Sequence, residues 1–201
     1  MKYEREFKTY FSKVQIFTFR DAKRFLKKMG ASDSYVKLFV HLQIRRHQLL
    51  RISKGCYTFM KNDAIVGFAF SPFYYGMEHA LTIHKLWDQT TNPVIITTKK
   101  ARPGVRTAMG IPVIVRRISK HMFFGAVYLK YSGIFVPVSD VEKTLMDFIH
   151  FKVGIGEEYL LRMLDNCDMP KLRRYSKSFS KIERRSLEKI LARNRKHHKS
   201  L

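Results

Sequence analysis

The chain has 201 residues, 39 Lys+Arg against 16 Asp+Glu, a formal charge of +23 and 13% aromatic residues. Such aromatic content excludes a purely disordered basic tail, and no apolar run approaches the roughly 20 residues of a membrane-spanning helix. Cys56 and Cys167 lie far apart with no CxxC spacing, so the sequence offers no zinc module and reads as two packed or free thiols in a reducing cytoplasm, a disulfide between them being the less favoured alternative.

The charge is uneven. Residues 1–62 carry +11, residues 63–150 only +4, and residues 151–201 +8. A cationic module, a quieter apolar middle and a cationic end is the pattern of a protein that holds a polyanion, and nucleic acid is the commonest one. A surface that is basic only for solvation is the alternative.

In chain order, Phe7, Tyr10 and Phe11 recur at helical spacing and predict a short helix over 3–13, followed by a small strand at Gln15-Ile16-Phe17. Thr18 with Asp21 three residues later resembles a capping box, so a second helix begins at Phe19; Ala22, Phe25, Leu26 and Met29 form its inner side and Gly30 ends it. Ser32-Asp33-Ser34 starts a third helix that runs to about Arg46, with Tyr35, Leu38, Phe39 and Leu42 as its buried stripe. On the opposite side Ser34, Lys37, His41 and Arg45 recur at i, i+3, i+7 and i+11. Two strands around Leu49–Ile52 and Cys56–Phe59 then flank a turn at Ser53-Lys54-Gly55.

Helix, helix, short turn, helix and β-hairpin is the order of a winged helix-turn-helix over residues 1–62. In that arrangement the third helix enters the major groove and the hairpin reaches flanking phosphates. Ser34, Lys37, His41 and Arg45 are the candidate groove residues, and Arg46, Arg51 and Lys54 the candidate phosphate contacts. An ordinary solvated helix face would show the same charges.

Residues 63–201 read as a mixed α/β domain with a mostly antiparallel sheet and C-terminal helices, giving an α+β protein. Asp63–Phe70 reads as a connection containing a buried strand, and Ser71-Pro72 as the start of a helix to about Trp87. Strands follow near 94–98, 112–116, 122–128 and 133–138. Ser139 with Glu142 reads as a capping box for a helix whose inner side is Val141, Leu145, Phe148 and Ile149. Further helices fall near 157–165 and 180–195, and the basic Arg193–Lys199 run is either another phosphate contact or a solubilising end.

His79 and His84 are five apart, wrong for a metal pair on one helix face, and read as structural. No phosphate-cradling glycine loop or nucleophile motif occurs, so the sequence predicts a protein without cofactor, metal or catalytic residues. A metal-dependent nuclease is the less favoured alternative, because carboxylates are scarce and Asp140-Val141-Glu142-Lys143 lacks the spacing of such sites.

Four stretches together resemble the AbiEi-type antitoxin family of type IV toxin–antitoxin and abortive-infection systems. They are Phe17-Thr18-Phe19-Arg20-Asp21, Leu50-Arg51-Ile52-Ser53-Lys54-Gly55-Cys56-Tyr57, Tyr74-Tyr75-Gly76-Met77-Glu78-His79-Ala80-Leu81, and Val138-Ser139-Asp140-Val141-Glu142-Lys143-Thr144-Leu145-Met146-Asp147. The resemblance implies an N-terminal winged helix that binds double-stranded operator DNA and represses its own operon. It also implies a C-terminal α/β domain that opposes a nucleotidyltransferase toxin without requiring a stable complex; the expected location is the cytoplasm, on the nucleoid. A stand-alone regulator without a toxin partner is the alternative.

Overall fold

A computed structural model describes residues 1–197. The fold is mixed α+β, and the chain divides into two compact units. The first comprises residues 1–71 with 107–112, and the second residues 72–106 with those from 113 onward.

In the first unit, helix α1 (Glu4–Phe11) presents Phe7 and Phe11 to an aromatic core, where the Phe7 ring lies 4.6 Å from Phe11 and 5.0 Å from Phe39. Strand β1 (Phe17–Thr18) leads directly into α2 (Phe19–Lys28). The predicted capping box closes in both directions: Asp21 N–H donates to Thr18 Oγ1 at 3.2 Å, and Thr18 N–H donates to the Asp21 carboxylate at 2.9 Å. Gly30, at φ 86°, supplies the left-handed residue after the helix. Helix α3 (Asp33–Arg45) starts where Ser32 Oγ accepts from Tyr35 N–H at 3.2 Å.

The buried side of α3 is Val36, Phe39, Val40 and Gln43 rather than Tyr35, Leu38, Phe39 and Leu42, so the helix is rotated by about one residue from the sequence reading. Both sets fit i, i+3, i+4, i+7, and packing against Phe7 and Leu26 decides between them. Strands β2 (Leu50–Ser53) and β3 (Cys56–Thr58) form a hairpin, and β1 adds antiparallel to β3, giving the order β1-β3-β2.

The chain enters this hairpin through His47, which holds φ 54°. That left-handed conformation costs a Cβ-bearing residue roughly 1–2 kcal/mol. His47→Gly should therefore raise the unfolding free energy by about 1 kcal/mol, read as a higher urea midpoint at unchanged slope.

Asp63–Phe70 is a 3-10 helix capped by the Asn62 side chain, which accepts from Ala64 N–H at 2.9 Å, and not a strand. It groups with the first unit, so the division falls after residue 71 instead of after 62.

The second unit is built on a six-stranded sheet of order β6-β7-β5-β4-β9-β8, with β4 (Phe73–Tyr75), β5 (Val94–Thr97), β6 (Gly104–Ala108), β7 (Ile111–Arg117), β8 (Ala126–Tyr131) and β9 (Ile134–Ser139). The sheet is mixed: β4–β5 and β8–β9 pair antiparallel, whereas β4–β9 and β5–β7 pair parallel. The helix predicted from Ser71-Pro72 is instead strand β4, and helix α4 (Met77–Ile83) begins only after Gly76. Phe73-Tyr74-Tyr75 has the aromatic composition of a strand, and pairing on both edges overrides the local start signal.

Helix α5 (Val141–Phe151) is followed by α6 (Glu157–Asp165), α7 (Met169–Ser176) and α8 (Lys181–His197), whose apolar residues cover Tyr74, Leu145 and Phe148. The sequence reading had no α7. Of the basic run 193–199, residues 198 and 199 lie outside the described residues. No helix among the described residues is long and apolar enough to cross a membrane.

His79 on α4 is 5% exposed, between the rings of Tyr75 and Tyr131 at 4.7 and 5.4 Å. Burial pushes its pKa down to about 4. The unfolded chain takes up the proton near pH 6.5 and the folded chain only near pH 4. Stability is therefore complete above pH 6.5 and falls by roughly 3 kcal/mol on acidification to pH 4. His79→Phe should remove that part of the acid sensitivity, measured by urea unfolding at pH 7 and pH 4.5.

Candidate nucleic-acid interface

The exposed side of α3 carries all four residues that the sequence singled out: Ser34, Lys37, His41 and Arg45. The same side also carries Leu38, which is 53% exposed. Sequence reasoning assigned Leu38 to the core, and no local signal separates the two registers. Arg46 at the end of α3, Arg51 on β2 and Lys54 in the hairpin turn are exposed as well. Arg51 Nε donates to the Ser53 carbonyl at 3.4 Å, which holds its stem along the hairpin. Thus the seven candidate residues fall on α3, its end and the adjacent hairpin of one unit.

The carboxylates explain why this surface is so cationic. Residues 1–62 contain only Glu4, Glu6, Asp21 and Asp33. Glu4 accepts from the Met1 ammonium at 2.8 Å, Glu6 lies 3.9 Å from Arg5, and Asp21 caps α2. Asp33, in the first turn of α3, takes Lys23 and Lys27 of α2, each at 2.9 Å. Hydrogen bonds from those two ammonium groups, Lys23 first, hold the Asp33 carboxyl below the usual range. The pairs also tie α2 to the start of α3 across the turn. None of these carboxylates pairs with Lys37, Arg45, Arg46, Arg51 or Lys54.

Lys37, Arg45, Arg46, Arg51 and Lys54 are thus five exposed cations of this unit to which no carboxylate of residues 1–62 is paired. Unpaired surface cations of this kind are able to take a polyanion. The solvent-facing row Ser34, Lys37, Leu38 and His41 offers a hydroxyl, an ammonium, an apolar body and an imidazole, the groups that meet base edges and thymine methyls.

The chain shares its fold with a solved structure. It is similar to the crystal structure of RV2827C protein from Mycobacterium tuberculosis, with a TM-score of 0.57 and 14% identity, over 82% of this chain and 67% of that one. At that identity the likeness concerns fold alone. No protein-family model matches the chain, and no curated protein matches it.

The second unit holds a different polar constellation, on α5. Its N-cap is Asp140 and not Ser139: Lys143 N–H donates to Asp140 Oδ1 at 2.8 Å, while Ser139 ends β9 with its hydroxyl 2.7 Å from that of Thr144. Glu142 forms no capping box. It accepts from Asp168 N–H at 2.7 Å and from Lys171 at 3.0 Å, and thereby anchors the start of α7. Lys171 also meets Asp140 at 3.0 Å, and Tyr175 donates to the same carboxylate at 2.9 Å.

Lys143 and Asp147 form an ion pair with both side chains 0% exposed. Tyr74 donates to Asp147 at 3.0 Å, and the Lys143 ammonium lies 5.4 Å from the Tyr74, Phe124 and Phe179 ring centres. Burial pushes the Asp147 carboxyl up and the Lys143 ammonium down, while their mutual attraction opposes both changes. Gly125 makes room for this lysine, since a Cβ there would lie 2.9 Å from Lys143 Cβ. The sequence reading saw only a cap and an apolar face here, because charges at i and i+4 on a helix are ordinarily solvated. The cluster fastens α5 to β4 and α7. Among the described residues, no group of three His, Cys, Asp or Glu is placed to hold a metal ion.

Proposed function

We propose that the first unit is a winged helix-turn-helix that binds double-stranded DNA, with α3 in the major groove and the β2–β3 hairpin on the flanking backbone. The observation that carries this reading is the exposure of Ser34, Lys37, His41 and Arg45 on one side of α3, and of Arg46, Arg51 and Lys54 at its end and on the hairpin that follows, while every carboxylate of residues 1–62 is engaged elsewhere. The same order of motifs that resembles AbiEi-type antitoxins supports a fuller reading. In it the protein is a transcriptional repressor of its own operon, the second unit opposes a nucleotidyltransferase toxin, and the protein works by binding and not by catalysis in the cytoplasm and on the nucleoid.

Two experiments separate the parts of this reading. Fluorescence anisotropy with a duplex from the DNA upstream of its own gene, against a shuffled duplex, tests the DNA-binding part. A preference of about 10³-fold or more for the upstream duplex is expected of a sequence-reading protein. Co-expression with the product of the neighbouring gene tests the antitoxin part: restored growth supports it, and unrelieved or absent toxicity contradicts it.

A further inference from the structure

The six-stranded sheet of the second unit has two edges, β6 and β8. The β6 edge is blunted. Pro103 precedes the strand, and the Arg106 guanidinium folds back to donate to the carbonyls of Arg102, Pro103 and Val105 at 3.1, 2.9 and 2.8 Å. The β8 edge has no such device. Its run Ala126-Val127-Tyr128-Leu129-Lys130-Tyr131 holds no proline or glycine and a single charge, and its register with β9 continues from end to end without a bulge. Tyr128 is 70% exposed and Val127 39%.

The turn that joins β8 to β9 fixes which backbone groups face outwards. Ser132 and Gly133 hold φ 47° and 84°, a two-residue turn closed by the pair Tyr131–Ile134. A closing pair of this kind exchanges both its hydrogen bonds, and the inward set then recurs at Leu129 and Val127. The N–H and C=O groups of Ala126, Tyr128 and Lys130 therefore point away from the sheet. Among the described residues no other strand and no side chain takes them.

We propose that β8 pairs antiparallel with the β8 of a second copy of this chain, each Tyr128 opposite the other. The outward groups are symmetric about Tyr128, so this register uses every outward donor and acceptor of residues 126–130 in both copies, and any shift leaves some of them unpaired. The side chains agree with it. Small Ala126 stands opposite long Lys130, so no like charges are opposed; the two Tyr128 rings meet; and on the other face Val127 meets Leu129. Two-fold pairing closes the exposed edge of both copies at once. The inference goes beyond the DNA-binding reading and does not rest on it.

The formal charge of +23 opposes association, so the test is made in about 0.3 M salt, where that repulsion is largely screened. Sedimentation equilibrium of the full chain reads the monomer–dimer constant. A reversible dimer with a dissociation constant on the order of 10 µM is expected of an interface at the small end of the specific ones. Tyr128→Pro removes an outward N–H where an edge strand tolerates proline, and should weaken the dimer about tenfold or more. Ala126→Lys should weaken it by facing Lys130, and Ala126→Glu should strengthen it, each by roughly two- to thirtyfold because the pair occurs twice. Lys177→Ala, exposed on α7 and equal to Ala126→Glu in its change of net charge, should leave the constant unchanged. If Tyr128→Pro fails to fold, the opposite responses at residue 126 decide the matter. A chain that stays monomeric at roughly 1 mM, a dimer indifferent to a folded Tyr128→Pro, or the same response to Ala126→Lys and Ala126→Glu would overturn the proposal.

Discussion

Lys37→Ala combined with Arg45→Ala should weaken binding to the upstream duplex by about 10²- to 10⁴-fold, because each side chain that reads a base edge contributes roughly 1–3 kcal/mol. Binding to a shuffled duplex should fall far less. Both residues are exposed and make no ion pair among the described residues, so the double variant should keep its unfolding midpoint. The contrast with the hairpin is equally specific. Arg51→Ala or Lys54→Ala should weaken both duplexes alike and lower the log–log salt slope by about one for each phosphate that is no longer neutralised. Equal losses on both duplexes for Lys37 and Arg45 would instead mark α3 as a nonspecific polyanion surface.

The second large effect belongs to the buried pair. Lys143→Ala should destabilise the second unit by about 3–5 kcal/mol, because it strands the Asp147 carboxylate in a fully buried site; Asp147→Ala should cost a similar amount by stranding the ammonium. Replacing the whole group at once is different. Lys143→Met with Asp147→Leu and Tyr74→Phe removes both charges and the hydroxyl that Asp147 accepts from, and the triple variant should lie within about 1–2 kcal/mol of the natural protein or exceed it. Urea unfolding followed by near-ultraviolet circular dichroism reads these differences. A single variant as stable as the parent would show that the pair contributes nothing to holding α5 in place.

What the sequence disclosed and what it withheld divide along a physical line. The caps at Thr18 and Ser32, the left-handed exit at Gly30 and the Lys54-Gly55 turn all depend on residues within three or four positions of one another, and each stands where the local chemistry puts it. The errors arise where distant contacts decide. Leu38 and Val36 belong to equally periodic stripes, and only the aromatic core around Phe7 selects Val36. Ser71-Pro72 is a sound helix start that yields to strand pairing with β5 and β9. Glu142 has the spacing of a capping residue, but its partners are Asp168 and Lys171, 26 or more positions along the chain.

The exposure of the candidate residues was legible because solvent-facing charge needs no partner to be recognised. Lys37, His41 and Arg45 keep their spacing whichever way the buried stripe is drawn, since a rotation of one residue leaves them outside.

Guanine-N7 methylation interference on the DNA upstream of the protein's own gene, with the full chain at moderate salt, probes the α3 surface most directly. Binding should be blocked by methyl groups at a few discrete major-groove positions, and those positions should lose their effect when Lys37 and Arg45 are replaced. Retention of the duplex that is indifferent to every methyl group, or no retention at all, would contradict a reading helix in the major groove.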